Sequence, residues 1–503
     1  MMKRRNTALF LAILSLAMVS CKSGDPDKET TQVSVSDSAA VTQQEEEVDF
    51  SQMSFLERIR YSNAQISDDL PKETYGGETF TVWLKSPNPS TYMATEENGE
   101  VLNDASYSQK RTIEERFDLN IEYFCYADGW DTGMKMFTSN LMAGDYFADI
   151  VENWNCTTAN SIAQGFFQDL SGYSSINTDK PWYFQDDVQS SSYKGHIYTL
   201  TGFMNTRNAV GRMTCTLFNK DMVRDYQLED MYQVVRDGRW TADYVMAIAK
   251  DFYYDVNGND KRDMDDHYGL ISDPVNCWYN AMSELDVPLL EVHTDGSYSI
   301  ALYENAEKAQ TILDMMKELN DCDGNMYGLD RKMIVNDYFG VGNALFYFAD
   351  LNDMNRIKDV DFDYGVLPRF KLNEAQKTYN TTALYDPWAI PTSVKSGERA
   401  AIIMTAFAAE GYKQVLPVFY ETTIKTKNVL DEESGEMIDL MMKNVRGEPM
   451  FYFHDYNKFA YHNIVAKYVA TNKGFASFAE SQKKVINGAV ETILEGYEAL
   501  ETE

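Results

Sequence analysis

The sequence has few of the residues that metal and redox chemistry need, and it is poor in basic residues. Its 503 residues include five histidines and six cysteines, and no two cysteines stand at the spacing of a zinc or haem site. Lys and Arg number 45 against 78 Asp and Glu, which gives a net charge of −33. Because a sequence-independent nucleic-acid binder needs a basic face that neutralises phosphates, this composition excludes that class.

Catalytic and nucleotide-binding signatures are also missing. The chain contains no Gly-x4-Gly-Lys-Ser/Thr loop, no Gly-x-Ser-x-Gly elbow and no His-Glu-x-x-His pair. Paired carboxylates could serve glycoside hydrolysis, but acidic residues are so numerous that chance pairs are unavoidable. We therefore expect a protein that is not an enzyme.

The first residues indicate export. Basic residues at positions 3–5 precede an apolar run over 8–20, which is too short to span a bilayer as a mature helix. The run ends in Met-Val-Ser before Cys21, which resembles a bacterial lipoprotein signal, where the peptide is cut before the cysteine and the thiol is lipidated. An ordinary signal peptide with a chance cysteine is the alternative. We expect residues 1–20 to be the signal peptide.

Residues 21–74 are predicted to be the lipidated cysteine and a flexible acidic tether. The stretch 22–49 is rich in Ser, Thr, Asp, Glu and Gln and has no aromatic residue, so it cannot bury enough apolar surface to order itself. No later segment is long and apolar enough to cross a bilayer. This arrangement places the folded body at the cell membrane, lipid-anchored on the extracytoplasmic face. The five remaining cysteines are an odd number without tight spacing, so we expect buried free thiols.

The rest of the chain predicts an α/β body. A single core stops growing at roughly 250–300 residues, so at least two lobes are needed. Alternating strand and helix patterns indicate a largely parallel sheet. The predicted strands are Thr79–Leu84, Leu119–Phe124, Ala148–Val151, Ala344–Phe348, Tyr364–Leu367 and one ending at Ala389-Ile390. The predicted helices run from Asn103 as a cap to Arg116, near Met134–Met142, after a cap at Thr241, from near Asn305, over Gly397–Ala409, and from Asp431 onward.

Eight short motifs occur in an order typical of one family. They are Gly144–Val151, Gln168–Leu170, Tyr193–Tyr198, Leu217–Asp221, Asp237–Thr241, Phe339–Phe346, Tyr364–Pro368 and Trp388–Pro391. Each is weak alone, but their order over about 300 residues behind a lipoprotein signal is specific. From about Thr79 to its end the chain resembles the sugar-type extracellular solute-binding proteins of family 1, the substrate-binding lipoproteins of ABC transporters that include maltose-binding protein.

This resemblance implies a two-lobed periplasmic-binding-protein-like fold of type 2 topology, with the ligand cleft between the lobes. It implies lobe 1 over 75–202 plus 369–425 and lobe 2 over 203–368 plus 426–503, with chain crossings after Tyr198, near Pro368 and near Tyr420. The implied function is capture of a carbohydrate, an oligosaccharide, and its delivery to the transmembrane subunits of an ABC permease. Two alternatives stay open: a cell-surface glycan-processing enzyme, and a surface glycan-binding adhesin without transport. We expect a monomer.

Candidate ligand contacts combine rings with planar polar groups, because sugars offer apolar C–H faces and hydroxyls. Loops at the carboxyl ends of strands are the expected place for them. The candidates are Trp83, Trp130, Glu152, Asn153, Trp154, Trp278, Asp350, Tyr385, Asp386 and Trp388. By the resemblance, Trp154 matches a ligand-contacting Trp of the maltose-binding relatives. Core packing is the alternative for Trp83, Trp154 and Trp278.

An acidic loop has the ligand spacing of a calcium site. Oxygen-bearing side chains fall at positions 1, 3, 5, 9 and 12 of a twelve-residue loop, and the backbone supplies position 7. The six positions are Asp255, Asn257, Asn259, Lys261, Asp263 and Asp266. Asp260 stands where Gly is usual, and Asp266 replaces the usual Glu, so the last ligand is shorter. The sequence thus predicts a structural calcium ion, with a solvated Asx-turn loop as the alternative.

Overall fold

Two β-sheets, each covered by helices, organise the chain in the computed structural model. The structure describes residues 53–86, 93–126, 130–272, 281–327, 331–383, 386–424, 431–453 and 463–501. The strands are β1 (Glu78–Leu84), β2 (Leu119–Cys125), β3 (Ile150–Glu152), β4 (Thr214–Asn219), β5 (Tyr253–Tyr254), β6 (His267–Ser272), β7 (Leu290–Val292), β8 (Tyr298–Ile300), β9 (Asn325–Tyr327), β10 (Ala344–Asp350), β11 (Tyr364–Leu367) and β12 (Trp388–Ala389).

Sheet 1 has the strand order β12-β3-β1-β2. β1 runs parallel to β2 and to β3, and β12 runs antiparallel to β3, with Trp388 opposite Glu152. From Phe80 onward, the apolar side chains of β1 are shared between two apolar layers. This distribution is expected of a strand that is covered on both faces. The predicted α/β architecture is confirmed here, and the carboxyl ends of β1, β2 and β3 meet at one edge.

Sheet 2 has the order β11-β4-β10-β6-β5, with β9 beside β6. β10, β6 and β9 are parallel, but β4 runs antiparallel to both β10 and β11. The prediction of a largely parallel sheet is therefore wrong for sheet 2. β4 begins where the chain arrives from sheet 1 and β11 ends where it returns, so these two neighbours must run in opposite directions. β7 and β8 form a separate antiparallel pair.

Three chain segments lie side by side between the two sheets. The first runs from Leu200, which pairs with Trp388 of sheet 1, to Met213 at the start of β4. Met213 pairs with Ala383 of the returning segment. Thr381 of that segment pairs in parallel with Val445, which belongs to the third segment. The body from Phe50 to Glu503 forms a single compact unit. The lobe boundaries given above therefore stay a prediction.

Helices fill the layers around both sheets. They are α1 (Phe55–Ala64), α2 (Val101–Phe117), α3 (Trp130–Ala143), α4 (Thr158–Ala163), α5 (Gln185–Ser190), α6 (Thr206–Gly211), α7 (Lys220–Asp225), α8 (Met231–Arg236), α9 (Ala242–Asp251), α10 (Ala281–Glu284), α11 (Ala301–Glu304), α12 (Ala306–Asp321), α13 (Arg331–Met333), α14 (Asp353–Arg356), α15 (Gly397–Glu410), α16 (Leu416–Ile424), α17 (Glu432–Met442), α18 (Pro449–Tyr452), α19 (Asn463–Val469) and α20 (Phe475–Leu500). Single turns of 3₁₀-helix span Asn155–Thr157, Phe203–Asn205 and Phe339–Val341, and π-helical turns span Ile334–Tyr338 and Gly411–Val415.

The folded body begins earlier than the sequence predicts. Residues assigned to the tether form α1, which starts with a reciprocal capping box between Ser54 and Glu57. Leu56 and Ile59 of this helix pack against the apolar core of the body. α1 contacts α16 and α17, two helices that lie against different parts of the molecule: α16 packs on α2, and α17 packs on β11 of sheet 2. The predicted tether therefore ends before Ser54, and α1 belongs to the folded body.

The N-cap of α2 also differs from the prediction. Asn103 is buried inside the first turn, and its amide donates to the Glu96 carbonyl at 2.8 Å. Glu100 is the cap, and its carboxylate accepts the backbone N–H groups of Leu102 and Asn103 at 3.1 and 2.7 Å. A carboxylate at this end is also favoured by the helix dipole.

The last helix, α20, contacts elements that pack on both sheets. Near its start Phe478 packs edge-on against Tyr468 of α19, which lies beside α12. Near its end it packs on α4, and Glu498 accepts from Tyr193 Oη at 2.8 Å and from Lys194 Nζ at 2.6 Å. None of the helices in the described ranges is both long and apolar enough to cross a membrane.

Candidate functional site

Two of the predicted ligand residues meet at the carboxyl edge of sheet 1. Glu152 ends β3, and Asp386 lies two residues before β12. Lys85, the residue after β1, joins them: its Nζ lies 2.5 Å from Asp386 Oδ2, and its backbone N–H donates to Glu152 Oε2 at 3.1 Å. The carboxyl ends of parallel strands converge in this way because the strands share one direction.

Two asparagines of the first crossing segment complete this group. Asn205 Nδ2 donates to Glu152 Oε1 at 2.9 Å, and Asn208 Nδ2 lies 3.5 Å from both Glu152 Oε1 and Asp386 Oδ2. We call Lys85, Glu152, Asn205, Asn208 and Asp386 the Glu152 cluster. The sequence did not single out either asparagine. Their repetition in a segment that links two sheets is the one signal that could have found them.

Burial and like charge govern the electrostatics of the Glu152 cluster. Glu152 is fully buried, and this burial raises the pKa of its carboxyl to about 7, with the Asp386 charge adding to the effect. Lys85 and the hydrogen bond that Asn205 donates lower this pKa in turn. Lys85 is the member that reaches solvent, with 23% of its side chain exposed. The cluster therefore offers amide and ammonium donors and carboxylate acceptors, the groups that bind hydroxyls.

The predicted tryptophans that the structure describes are all enclosed. Trp154 packs on Tyr126 and Phe137 with ring centroids 5.7 and 5.5 Å away, and none of its surface is exposed. Its indole N–H has no hydrogen-bond partner among the described residues. In this structure Trp154 is a core residue, because the turn after β3 folds it under the sheet edge. A stacking role for this ring stays a prediction that requires it to become exposed.

Trp83 and Trp388 are enclosed in the same manner. Trp83 lies among Phe124, Phe137 and Phe147, with ring centroids 4.9 to 5.7 Å away. Trp388 packs on Phe407 of α15 at 5.5 Å. Both are strand residues whose alternation points them into an apolar layer, so neither offers an open ring face to a ligand.

Asn153 and Asp350 lie apart from the Glu152 cluster in their contacts. Asn153 Nδ2 donates to Thr158 Oγ1 at 3.1 Å, which holds the turn before α4. Asp350 ends β10 in sheet 2, where Arg356 Nη1 lies 4.0 Å from its Oδ1. The role of Asp350 as a ligand contact stays a prediction.

Several predicted residues lie outside the described residues. These are the side chain of Trp130 and the whole of Cys21, Trp278 and Tyr385. Their roles as ligand contacts, and as the lipidation site, stay predictions. Among the cysteines that the structure describes, Cys215 and Cys322 are buried free thiols and Cys125 is a half-buried one.

The acidic loop is ordered by its own hydrogen bonds. Asp255 accepts the backbone N–H groups of Gly258 and Asp260 at 2.8 Å each, and Asn259 Nδ2 donates to Asp263 Oδ2 at 2.8 Å. Asp260 adopts the left-handed conformation with φ of 57°, the geometry for which calcium loops use Gly at this position. Asp266 is fully buried.

The loop carries the kinds of oxygen ligand that calcium takes, but these ligands are not arranged around one ion position. Carboxylate, amide and carbonyl oxygens are the ligands that calcium takes. In the part of the chain that the structure describes, no group of three or more His, Cys, Asp or Glu side chains is placed to hold a metal ion. Asp266 Oδ2 instead accepts a hydrogen bond from the Tyr253 hydroxyl at 2.9 Å. Calcium binding at Asp255, Asn257, Asn259, Lys261, Asp263 and Asp266 therefore stays a prediction.

Solved structures share this fold over most of the chain. A cyclo/maltodextrin-binding protein complexed with maltotetraose matches with a TM-score of 0.56 at 14% identity, covering 84% of this chain and 99% of that one. The GacH receptor of Streptomyces glaucescens, solved unliganded and with acarbose, matches with a TM-score of 0.53 at 11% identity, covering 82% and 99%.

A third similar structure is the galacto-N-biose-/lacto-N-biose I-binding protein of the ABC transporter from Bifidobacterium longum, in complex with lacto-N-biose. Its TM-score is 0.52 at 13% identity, over 84% of this chain and 99% of that one. No protein-family model matches the sequence, and no curated protein matches it in a sequence comparison. The chain thus has the two-lobed periplasmic-binding-protein-like α/β fold that the sequence predicts.

Proposed function

We propose that this protein is a solute-binding protein that captures a carbohydrate, an oligosaccharide, between its two lobes. The observation that supports this most is the shared fold over 82–84% of the chain with three proteins whose structures hold or accept oligosaccharides. Because those proteins are covered over 99% of their own lengths, the likeness extends to both lobes. At 11–14% identity the likeness does not carry ligand residues over.

The Glu152 cluster is a part of the described chain that suits such capture in the cleft. It stands at the carboxyl edge of a largely parallel sheet, where α/β folds place their ligands. Its members come from two sides: Lys85, Glu152 and Asp386 belong to sheet 1, and Asn205 and Asn208 belong to a crossing segment. Contacts shared with a crossing segment can transmit ligand binding to lobe movement, the known motion of this kind of protein.

Delivery and anchoring complete the proposal. We propose that Cys21 carries a lipid that holds the protein at the extracytoplasmic face, and that the loaded monomer passes its sugar to the transmembrane subunits of an ABC permease. The basic and apolar segments before Cys21 support the anchor. The third similar structure, named as the binding protein of an ABC transporter, supports the permease.

A melting screen with calorimetry tests the capture. We expect a neutral oligosaccharide, such as maltotetraose or lacto-N-biose, to raise the melting temperature, because a ligand that binds only the folded state stabilises it. Asp386→Asn should weaken that binding by about tenfold or more, whereas Asp363→Asn, a change at an exposed acidic residue, should not alter it. Binding of peptides or amino acids in place of all sugars would contradict the proposal.

Turnover and uptake assays separate the alternatives. Cleavage of a bound glycan would favour a glycan-processing enzyme. Sugar binding without any loss of uptake in cells that lack the protein would favour a surface glycan-binding adhesin. The proposal requires binding without turnover, together with loss of uptake of the bound sugar.

A further inference from the structure

A cavity of about 410 Å³ shares no lining residue with the Glu152 cluster, although Phe203 in its wall belongs to the same 3₁₀ turn as Asn205. It is enclosed by α1, the segment before α5, α16, α17 and the third crossing segment at Asn444–Arg446. None of Lys85, Glu152 and Asp386 contributes to its walls. We propose that this cavity is a second carbohydrate site, which accepts one neutral sugar ring or a disaccharide independently of the cleft. We call it the α1 cavity.

Five of its seventeen lining residues are aromatic. Tyr183, Phe184, Phe203, Tyr412 and Tyr420 all line it. Phe203 stands between Phe184 and Tyr412, with ring centroids 5.2 and 5.3 Å away, and both contacts are edge-on, so the three rings pack together as one aromatic group in the wall. Ring surfaces pack on the C–H faces of a sugar, and a few polar groups then fix its orientation.

The polar groups at the wall are of the planar kind that binds neighbouring hydroxyls. Asn63, Gln185 and Asn444 carry amides, Asp439 carries a carboxylate, and Arg446 carries a guanidinium. Amides and carboxylates accept from hydroxyls, and amides and guanidinium donate to them. The rings and these groups together are the chemistry that a sugar requires.

The charges at this wall balance within the protein. Arg446 Nη1 lies 3.0 Å from Asp186 Oδ1, and Lys443 Nζ lies 2.6 Å from Asp439 Oδ2. Two carboxylates thus face two cations among the lining residues. These four side chains carry no net charge between them, so the wall offers no excess charge that would attract an ionic ligand, and a neutral ligand leaves both pairs in place.

Packing of α1 fixes the shape of the cavity. Asn63 Nδ2 donates to the Tyr412 carbonyl at 3.0 Å, and Arg60 pairs with Glu421 of α16. Protein interiors are close-packed and have few voids larger than a water molecule. A ring-lined cavity of about 410 Å³ falls within the roughly 300–1,000 Å³ usual for small-molecule sites, so it is large enough for the proposed ligand.

Saturation-transfer NMR on the full chain tests the proposal. The probes are glucose, galactose, xylose, maltose and lactose, with phenol and indole as neutral aromatic probes. Tyr412→Ala removes a half-buried ring from the wall, and Gln185→Trp places a bulky ring at the exposed rim. The matched control is Tyr146→Ala, which removes an exposed ring elsewhere. Melting of each variant verifies that it is folded.

We expect at least one neutral sugar to bind, and both cavity variants to weaken it by about tenfold or more while Tyr146→Ala leaves it unchanged. A sugar signal that survives both cavity variants would place all binding in the cleft, which overturns this inference and leaves the proposed function standing. Binding of phenol or indole without any sugar would make the cavity a site for aromatic molecules and overturn its assignment to carbohydrate. The assignment would also be overturned if none of the probes bound to the protein.

Discussion

Glu152 and Asn205 are joined by a hydrogen bond of 2.9 Å that ties the end of β3 to the first crossing segment. Because Glu152 is fully buried, this contact is formed away from water, where a hydrogen bond is stronger than at the surface. A change at Glu152 therefore acts on the position of the crossing segment as well as on the wall of the site.

Stability near Glu152 should depend on pH. Its folded-state pKa of about 7 lies above the usual 4.5, so the folded chain binds this proton more tightly than the unfolded chain does. That contribution to stability is complete below about pH 4.5 and is lost as the pH rises through about 7. We expect wild-type stability, relative to Glu152→Gln, to fall between about pH 4.5 and 7 and to level off above that range.

Urea unfolding at several pH values measures this difference. Glu448, a second buried carboxyl whose pKa burial raises, is present in both proteins and cancels in the comparison. Parallel curves for the two proteins over this range would show that Glu152 does not titrate there.

Truncation of Trp154 should lower stability. The ring is fully buried against Tyr126 and Phe137, so Trp154→Ala leaves a cavity and should cost roughly 3–5 kcal/mol of unfolding free energy. Trp154→Phe, which keeps an aromatic ring, should cost clearly less. Unchanged melting of Trp154→Ala together with weaker sugar binding would instead place the ring in the ligand site.

The boundary between tether and body can be measured by truncation. Deleting 22–49 should leave melting and ligand affinity unchanged. Deleting through Leu70 removes α1, its apolar contacts and the Arg60–Glu421 pair, and should lower the melting temperature by several degrees. Equal melting of both truncated chains would show that α1 adds nothing to the fold.

Lipidation should depend on one side chain. Cys21→Ala should leave the protein without its lipid and release it from the membrane fraction, which fractionation and mass spectrometry of the N-terminal peptide both detect. Replacing Cys125 in the same way is the control, since it lies at the end of β2. Membrane association that survives Cys21→Ala would contradict the lipoprotein reading.

Calcium should stabilise the acidic loop. We expect a chelator to lower the melting temperature and added calcium to restore it, and Asp255→Ala to remove this sensitivity. Asp295→Ala, in the turn between β7 and β8, is the control and should retain the response. A wild-type protein that melts identically with and without chelator would leave the loop as a solvated turn.

The sequence predicts six of the twelve strands in the described ranges, because the apolar runs of these six are short and uniform, and it misses β4 to β9. β11 matches its predicted bounds, and β1, β2, β3 and β10 lie within one or two residues of theirs. α1 was missed because its apolar residues are few and follow a polar stretch. The cap of α2 was misplaced because Asn is the commoner cap, whereas here the Glu100 carboxylate reaches the first N–H groups.

The candidate site could be predicted only where it depends on strand ends. Glu152 and Asp386 were found because they flank β3 and β12 in sequence. Their partners Asn205 and Asn208 come from a distant segment, and local patterns do not show long-range pairing. The Trp154 ring is oriented by its packing on Tyr126, and no short sequence motif specifies that contact.

If the protein captures its ligand by the lobe movement proposed above, the contacts of α20 bear on the speed of that movement. Its start is held by Tyr468, whereas its end is held by Tyr193 and Lys194 through Glu498, so separation of these parts must break one set or the other. The Lys194–Glu498 pair is exposed to solvent and its attraction is screened by ions. The rate at which the lobes open, and with it the release of a bound ligand, should therefore rise with ionic strength.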